Sequence, residues 1–524
     1  MKYPIGIQSF DQIIEDGYVY IDKTDLVYRL ATEGKIYFLS RPRRFGKSLL
    51  VSTLKNYFLG RKELFKGLKI DALEKDWKVY PVFHIDFNGS NFTKQGILEN
   101  RIGSYISDWE KLYSLESKEI ATDLGNRFIR VLRAAHEQSG RRAVVLVDEY
   151  DKPVLDVLDV DKNLEEEHRN VLKSFYSVFK GADEHLQFVF LTGVTKFSQV
   201  SVFSGFNQPL DISMHSKYET LCGISQEELN AVFREPIEEM TAVYRCSYDE
   251  MIAQLKAQYD GYHFSDRMAD VYNPFSLLNA FESQRISDFW FKSGTPTYLI
   301  RLLSHTDENM NEITGKYYTA EEFIDYKANI EQPLPMIYQS GYLTIKDFDI
   351  EENAFLLDFP NNEVKRGFLT LIASDYFNSR ETPSWIRNIA SCLKKGNLDD
   401  FRSGLTSFLA GIPYTMRRKE NERERERYFH YTFYLIMRLI SVYTVYTEKV
   451  QSHGRVDCIV ETNDYVYIFE FKLDGTAEEA LRQIEEKGYA REYEADRRKV
   501  YLIGAVFSSE TGTIEEWKSA PETV

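Results

Sequence analysis

Closely spaced cysteines, an excess of basic charge and long apolar runs are all missing from this sequence of 524 residues. The four cysteines, Cys222, Cys246, Cys392 and Cys458, lie far apart, which excludes a CxxC metal knuckle and a dense disulfide framework. Lysine and arginine number 65 against 81 acidic residues, so the formal net charge is -16. This balance argues against broad, non-specific adhesion to nucleic acid or to a membrane surface.

No stretch approaches the ~18 to 20 consecutive apolar residues that a membrane-spanning helix requires. The first residues also lack the apolar core of a signal peptide. We therefore expect a cytoplasmic protein without a membrane partner. Hydrophobic residues make up 43% and charged residues 28% of the chain, which is the composition of a folded globular protein rather than a disordered one.

Short apolar runs alternate with helical patterns in the first third of the chain, which is typical of βαβ units around a parallel sheet. Strands are predicted at residues 36–39, 82–85, 143–147 and 187–191, with a helix at 48–58. From about residue 225 to 395 the pattern is mainly helical. A second, compact α/β pattern follows, with two strands at 456–460 and 465–471, a helix at 477–489 and a strand at 499–503.

A phosphate-loop motif follows the first predicted strand. Residues 40–48 read SRPRRFGKS, which keeps Gly46, Lys47 and Ser48 of the template G-x-x-x-x-G-K-[ST] but has Arg41 in place of its first glycine. In such a loop the glycine lets backbone amides approach phosphate oxygens. Lys47 would then reach the β- and γ-phosphates, and Ser48 would ligate Mg²⁺. The alternative is a chance basic turn that caps a helix.

An apolar strand that ends in two acids is the second motif. Residues 144–149 read VVLVDE, the form of a Walker B element, in which Asp148 would hold Mg²⁺ and Glu149 would orient or deprotonate the attacking water. Acids at a strand end are common, but together with the phosphate loop they predict a site for ATP and Mg²⁺. The strand at 187–191 ends at Thr192, which would either sense the γ-phosphate or simply end the strand.

Carboxylates on a predicted hairpin form the third constellation. If Asn463-Asp464 is a two-residue turn, Asp457 lies opposite Glu470, and Lys472 shares their face. A three-residue loop would instead place the two carboxylates on opposite faces. Such a pair can bind Mg²⁺ or Mn²⁺, and Lys472 can stabilise the attacking hydroxide or the developing phosphorane charge. The alternative is the charged face of a solvated hairpin.

Taken together, these motifs resemble those of AAA-ATPase-like proteins that carry a C-terminal PD-(D/E)XK nuclease-like domain. The segments that carry the resemblance are residues 20–24 (YIDKT), 41–48 (RPRRFGKS), 147–153 (VDEYDKP), 192–196 (TGVTK), 293–296 (SGTP) and 470–472 (EFK). The resemblance implies nucleotide binding by an AAA-like module. It also draws attention to Gln483, because related nucleases often place a glutamine from the next helix near the metal; a solvent-facing helix residue is the alternative.

The expected fold class is α/β: a P-loop NTPase (AAA-like) parallel-sheet domain at 1–224, a helical lid or connector at 225–395, and a PD-(D/E)XK nuclease-like α/β domain at 396–524. The leading hypothesis is ATP binding and hydrolysis coupled to metal-dependent cleavage of nucleic acid, DNA rather than RNA. A homo-oligomer is left open. The alternative hypothesis is a nucleotide-switched interaction protein whose nuclease-like domain binds a partner without cleaving it. Because the chain is acidic, nucleic acid would need a local basic groove, for which Arg417, Arg418 and Lys419 are candidates; the alternative for this charged run is the solvated start of a helix.

Overall fold

The computed structural model describes residues 1–115, 123–196, 209–294, 313–324, 333–376, 382–411, 436, 450–451, 454–455, 458–494, 496–508, 510–511 and 513–521. The chain divides into two compact units, Met1–Val364 and Lys365–Val524. The three-part division expected from the sequence is finer than this, and its boundaries stay predictions. Within the described ranges, no helix is long and apolar enough to cross a membrane.

A five-stranded parallel sheet forms the centre of the first unit. Its strands are β1 (Ile36–Ser40), β2 (Val82–Asp86), β3 (Ala143–Asp148), β4 (Leu186–Gly193) and β5 (Leu210–Asp211), in the order β2-β3-β4-β1-β5. The first four are the predicted strands, and the predicted α/β fold class is confirmed. β3 is buried along its whole length, as expected for a central strand of a parallel sheet. Because all pairings are parallel, the loops after β1, β3 and β4 leave from the same edge.

The helices of this part of the first unit are α1 (Phe10–Glu15), α2 (Thr24–Glu33), α3 (Lys47–Phe58), α4 (Lys69–Leu73), α5 (Ile97–Leu112), α6 (Leu124–Ser139), α7 (Lys152–Val157) and α8 (Lys162–Gly181). Side-chain caps mark where two of them begin. Asp123 accepts a hydrogen bond from Gly125 N before α6, and Asp161 accepts from Asn163 N before α8. Such caps satisfy amides that have no partner inside the helix.

The rest of the first unit is mainly helical, as predicted. Its helices are α9 (Gln226–Val232), α10 (Arg234–Tyr244), α11 (Tyr248–Tyr259), α12 (Pro274–Ser283), α13 (Phe289–Gly294), α14 (Ala320–Ile324) and α15 (Leu334–Gln339). Its strands were not predicted from the sequence. They are a short pair, β6 (Ile224–Ser225) and β7 (Val271–Tyr272), and an antiparallel sheet in the order β8-β10-β9. The strands of that sheet are β8 (Lys316–Thr319), β9 (Thr344–Asp349) and β10 (Ala354–Asp358). β8 is largely exposed and the second half of β9 is only partly buried, so neither has the apolar run that indicates a buried strand.

The second unit begins inside helix α16 (Asn362–Tyr376), and α17 (Thr382–Lys394) and α18 (Leu398–Gly411) follow it. Its remaining elements are β11 (Val450–Gln451), β12 (Gly454–Arg455), β13 (Cys458–Glu461), β14 (Tyr465–Leu473), α19 (Ala477–Lys487), β15 (Lys499–Phe507) and β16 (Ile514–Pro521). A mixed sheet runs in the order β13-β14-β15-β16, with β14 and β15 parallel. The predicted strand–strand–helix–strand pattern is therefore present, and β16 is an addition that the sequence analysis missed.

Candidate functional site

The loop between β1 and α3 carries the predicted phosphate-binding residues. Gly46 has a φ of 91°, a left-handed conformation that glycine adopts without strain. The amides of the first turn of α3 have no partner inside the helix, and a helix N-terminus with such amides favours anions. Lys47 is only 4% exposed. Its Nζ donates to Arg41 O at 3.0 Å and to Pro42 O at 3.2 Å, so the ammonium lies inside the curve of the loop.

Arg41, which replaces the first glycine of the template, points away from the inside of the loop. Its guanidinium is buried and donates to Ser213 O at 2.7 Å and to Tyr218 O at 3.3 Å. It also lies over the ring of Phe264, 4.0 Å from the centroid. Its backbone N donates to Gly193 O, which continues the pairing of β1 with β4. Arg41 therefore holds the base of the loop, in a conformation that does not require glycine.

Two acids at the end of β3 face the phosphate loop. The Asp148 side chain is 3% exposed, and its Oδ1 has no hydrogen-bond partner among the described residues. Burial, and then the neighbouring Glu149 carboxylate, raise the pKa of Asp148 to about 7, against opposing contributions from a hydrogen bond with Ser48 and from the charge of Lys47. Glu149 Oε1 lies 3.7 Å from Lys47 Nζ. The phosphate loop and the two acids at the end of β3, which are distant in sequence, are therefore close in space.

Thr192 lies beside these acids at the end of β4. Its side chain is fully buried, and its Oγ1 has no partner in the described part of the chain. Its carbonyl accepts a hydrogen bond from Tyr150 N at 3.0 Å, which ties β4 to the turn that follows Glu149. This location is compatible with a γ-phosphate sensor and equally with a residue that ends the strand.

These residues suit ATP with a divalent cation. Ser48 and Asp148 supply the hard oxygen donors that Mg²⁺ prefers, and a buried carboxylate oxygen without a partner would gain most from a cation. The described residues contain no cluster of three histidine, cysteine or acidic side chains placed to hold a metal alone. A phosphate-loop site needs no such cluster, because the nucleotide phosphates supply further ligands.

A cleft of about 490 Å³ opens over the phosphate loop, which is within the range of small-molecule and cofactor sites. Its lining includes Gly6, Arg43, Arg44, Lys47, Ser48, Asn88, Glu149, Lys152 and Phe275. Aromatic side chains from the later part of the same unit also contact the loop. Trp290 Nε1 donates to Arg43 O at 2.9 Å, and Arg44 lies over the ring of Phe275 at 4.8 Å.

Several residues of this site were not predicted from the sequence. Asp86, the last residue of β2, is level with Asp148 in the sheet, and its charge adds to the rise of the pKa of Asp148. A signal was present, because Asp86 ends an apolar strand just as Asp148 does. Asp151 and Thr195, which join β3 to β4, had no such signal beyond their place in the resembling segments.

The C-terminal hairpin has the predicted register. Thr462 N donates to Tyr465 O at 2.8 Å, and Cys458 is paired with Phe469. Asn463 and Asp464 are thus a two-residue turn, and the three-residue loop is excluded. Continuing this register by one pair would place residue 457 opposite Glu470. Asp457 itself lies outside the described residues, so this juxtaposition stays a prediction. Arg417, Arg418 and Lys419 also lie outside them.

Glu470, Lys472 and Gln483 lie together between β14 and α19. Glu470 is 2% exposed, and its Oε1 accepts hydrogen bonds from Gln483 Nε2 and from Lys472 Nζ, the latter at 3.5 Å. Lys472 Nζ also donates to Gln483 Oε1 at 2.5 Å. The predicted glutamine therefore points at the carboxylate rather than to solvent. Glu470, together with a second carboxylate across the strand pair, would suit Mg²⁺ or Mn²⁺.

Comparisons with known proteins bear on both sites. A family model for predicted AAA-ATPases matches residues 4–203, and a model for the PD-(D/E)XK nuclease superfamily matches residues 424–517. A protein of Azotobacter chroococcum mcd 1, described as an uncharacterized protein in the vnfD 5' region, is 35% identical over 522 residues, and the match covers 98% of both chains. The chain belongs to the AAA-ATPase-like family. No solved structure matches it.

In this AAA-ATPase-like chain, each candidate site falls within one of the matched regions. The phosphate loop, the acids of β3 and Thr192 lie within residues 4–203, and the hairpin carboxylates, Lys472 and Gln483 lie within residues 424–517. The resemblance seen in the motifs is thereby confirmed, with an ATPase-like region preceding a nuclease-like one.

Proposed function

We propose that the first unit binds and hydrolyses ATP with Mg²⁺, and that the second unit cleaves nucleic acid, DNA rather than RNA, with Mg²⁺ or Mn²⁺. The main support for the proposal is that Lys47 lies close to Asp148 and Glu149 at the amino end of α3. Glu149 Oε1 is 3.7 Å from Lys47 Nζ, and both the Ser48 side chain and the charge of Lys47 lower the pKa of Asp148. A chance basic turn would not bring a buried lysine to these two acids.

Each residue of the first site has a role in this proposal. The amides at Gly46 and the ammonium of Lys47 bind the phosphates, and Ser48 and Asp148 hold Mg²⁺, which would offset the developing negative charge. Glu149 accepts a proton from the attacking water. The water oxygen bonds to the γ-phosphorus as the bond from that phosphorus to the bridging oxygen of ADP breaks. Thr192 contacts the γ-phosphate.

In the second unit, Asp457 and Glu470 would hold the metal, and Lys472 would stabilise the hydroxide or the charge that develops on the phosphate. Gln483 orients Glu470 and Lys472, in keeping with its hydrogen bonds to both. The basic groove with Arg417, Arg418 and Lys419, a cytoplasmic location and assembly into a homo-oligomer are further parts of the proposal that rest on the sequence.

Binding of Mg·ATP to the full chain tests the first part. Calorimetry should detect binding, and Lys47→Ala should weaken it about 10- to 100-fold, since a charge-assisted hydrogen bond contributes about 1.5–3 kcal/mol. Lys55→Ala is the matched control, because Lys55 lies on the same helix about 12 Å further along its axis. Equal affinity of Lys47→Ala and the unaltered chain would remove the nucleotide site.

Incubation of the full chain with DNA or RNA and Mg²⁺ or Mn²⁺ tests the second part. We expect cleavage of DNA that EDTA abolishes and that Asp457→Ala or Glu470→Ala reduces at least ~100-fold, because either change removes a metal ligand. Asp464→Ala, at the exposed tip of the same hairpin, is the control and should leave cleavage unchanged. Cleavage that survives both ligand substitutions would contradict the assigned site.

A nucleotide-switched interaction protein is the second candidate. One observation favours it: Lys47 Nζ already has two carbonyl partners in its own loop and an acid beside it, which is compatible with a site that binds without fast turnover. This function predicts binding of Mg·ATP with negligible hydrolysis, and no cleavage of DNA or RNA with either metal.

A further inference from the structure

The turn that carries Glu149 has a backbone conformation that a residue with a side chain rarely adopts. Glu149 has a φ of 53°, in the left-handed region. Such a conformation persists only where the surrounding structure holds it. The side chain of Glu149 lines the cleft over the phosphate loop. Contacts behind the turn must therefore hold it in the position that presents this carboxylate to the cleft.

Asp151 and its neighbour provide those contacts. The Asp151 side chain is fully buried, and its Oδ2 accepts hydrogen bonds from Val194 N at 2.9 Å, Thr195 N at 2.6 Å and Thr195 Oγ1 at 2.8 Å. Tyr150 adds two more, from its N to Thr192 O at 3.0 Å and from its hydroxyl to Thr195 O at 2.9 Å. The turn after β3 is thus joined to the end of β4.

Gly193 makes this close approach possible. A Cβ at this position would lie 2.5 Å from Asp151 Oδ1 and 2.7 Å from a ring carbon of Tyr150, too close for any other residue without a shift. The surroundings of Asp151 also disfavour its charged form. Burial and the neighbouring Glu149 raise the pKa of Asp151, and the hydrogen bonds from Thr195 oppose this rise. An acid at this place is unfavourable by itself, and such costs are concentrated at functional sites.

We propose that Asp151 is a positioning residue for ATP hydrolysis: it fixes the turn so that the Glu149 carboxylate faces the attacking water, and it joins that turn to Val194 and Thr195, just after β4. Asp151 lies behind the turn and acts through Glu149 rather than on the nucleotide. The inference rests on the proposed ATPase function of the same site.

The test measures steady-state ATP turnover and Mg·ATP affinity of the full chain. Asp151→Ala should lower kcat about 10- to 100-fold, because small misplacements of a general base are costly, and should leave Kd within about threefold. Asp151→Asn should be intermediate, since its carbonyl oxygen can still accept from the amides. Gly193→Ala should lower kcat as Asp151→Ala does. Asp151→Ala added to Glu149→Gln should cause no further loss, because both changes disable the same step.

Asp260→Asn is the control, since Asp260 is another acid of the same unit that is only 1% exposed, and it should keep kcat. If Asp151→Ala does not fold, Asp151→Asn and Gly193→Ala carry the test. Unchanged kcat in these variants, or a further loss of kcat in the double variant, would overturn the inference. The proposed function would still stand in that case, provided that the unaltered chain hydrolyses ATP. No turnover by the unaltered chain would overturn both.

Discussion

Buried charge is concentrated around the phosphate loop. Arg41, Lys47, Asp148 and Asp151 are at most 4% exposed, and burying a charge is costly unless it is paired or hydrogen-bonded. Arg41 and Asp151 find backbone and hydroxyl partners and hold loops in place. In the described residues Arg41 Nε, Asp148 Oδ1 and Asp151 Oδ1 each have no partner, but among these three residues only Asp148 faces the lysine and serine of the phosphate loop. We infer that Arg41 and Asp151 hold the loops of the site in place. Lys47 would bind the nucleotide, and Asp148 would bind its cation.

Arg41→Gly would restore the first glycine of the phosphate-loop template, and we predict that it harms the protein rather than improving it. The change removes the donors to Ser213 O and Tyr218 O and the contact with Phe264. Leaving buried carbonyls without partners costs about 1–3 kcal/mol each, so the free energy of unfolding should fall by roughly 3 kcal/mol. Denaturation followed by circular dichroism measures this fall.

Arg44→Gly is the matched control for that substitution. Arg44 is in the same loop, is exposed and has a φ of 68°, which glycine adopts without strain. The stability of this variant should stay within about 0.5 kcal/mol of the unaltered chain, because relief of the left-handed backbone offsets the loss of the exposed contact with Phe275. If the two variants are equally stable, Arg41 has no structural role in the loop.

At the scale of elements, the hairpin of β13 and β14 decides whether the second site can exist. The bonded pair Thr462–Tyr465 sets the alternation of pairs along an antiparallel ladder. Counting from it, the pair 457–470 would be a non-hydrogen-bonded one, in which side chains approach more closely than in the bonded pairs. The predicted carboxylates would then share one metal ion.

A disulfide tests this register. The double variant Asp457→Cys, Glu470→Cys should form a cross-link under mild oxidation, because cross-strand Cβ atoms lie ~4.5–5.5 Å apart. Peptide mapping by mass spectrometry identifies the linked pair among the native cysteines. In the control Asp457→Cys, Phe471→Cys the side chains would face opposite sides of the sheet, and no link should form. A cross-link in the control variant and none in the first variant would mean that the strand register shifts before Asp457.

The strands and site residues differ in how well they could be predicted from the sequence. β3 is buried along its whole length and β4 at every residue except Gln187, so each contains a long apolar run. Both strands were predicted, together with the acid or threonine near their ends. β8 has exposed residues and was missed. Asp151 could not be assigned a role, because the role proposed for it depends on the amides of Val194 and Thr195, just after β4, and on the absence of a Cβ at Gly193. Gln483 was predicted only through the family resemblance, since nothing in a helical pattern says that one glutamine faces a carboxylate.

For the whole molecule, the net charge of -16 and a polyanionic substrate are compatible if cations mediate the contact. In the proposed function, carboxylates of both candidate sites hold a divalent ion that contacts phosphate. We therefore infer that the chain engages nucleic acid locally and with metal, rather than through broad electrostatic attraction. The two units would carry separate reactions, with ATP in the first and nucleic acid in the second.

The most direct test of this account is the rate of phosphate release from ATP by the full chain in Mg²⁺. We predict turnover that Glu149→Gln lowers at least ~100-fold while Mg·ATP still binds, because removal of a general base affects the chemical step more than binding. Turnover by Glu149→Gln equal to that of the unaltered chain, or no turnover by the unaltered chain, would contradict the account.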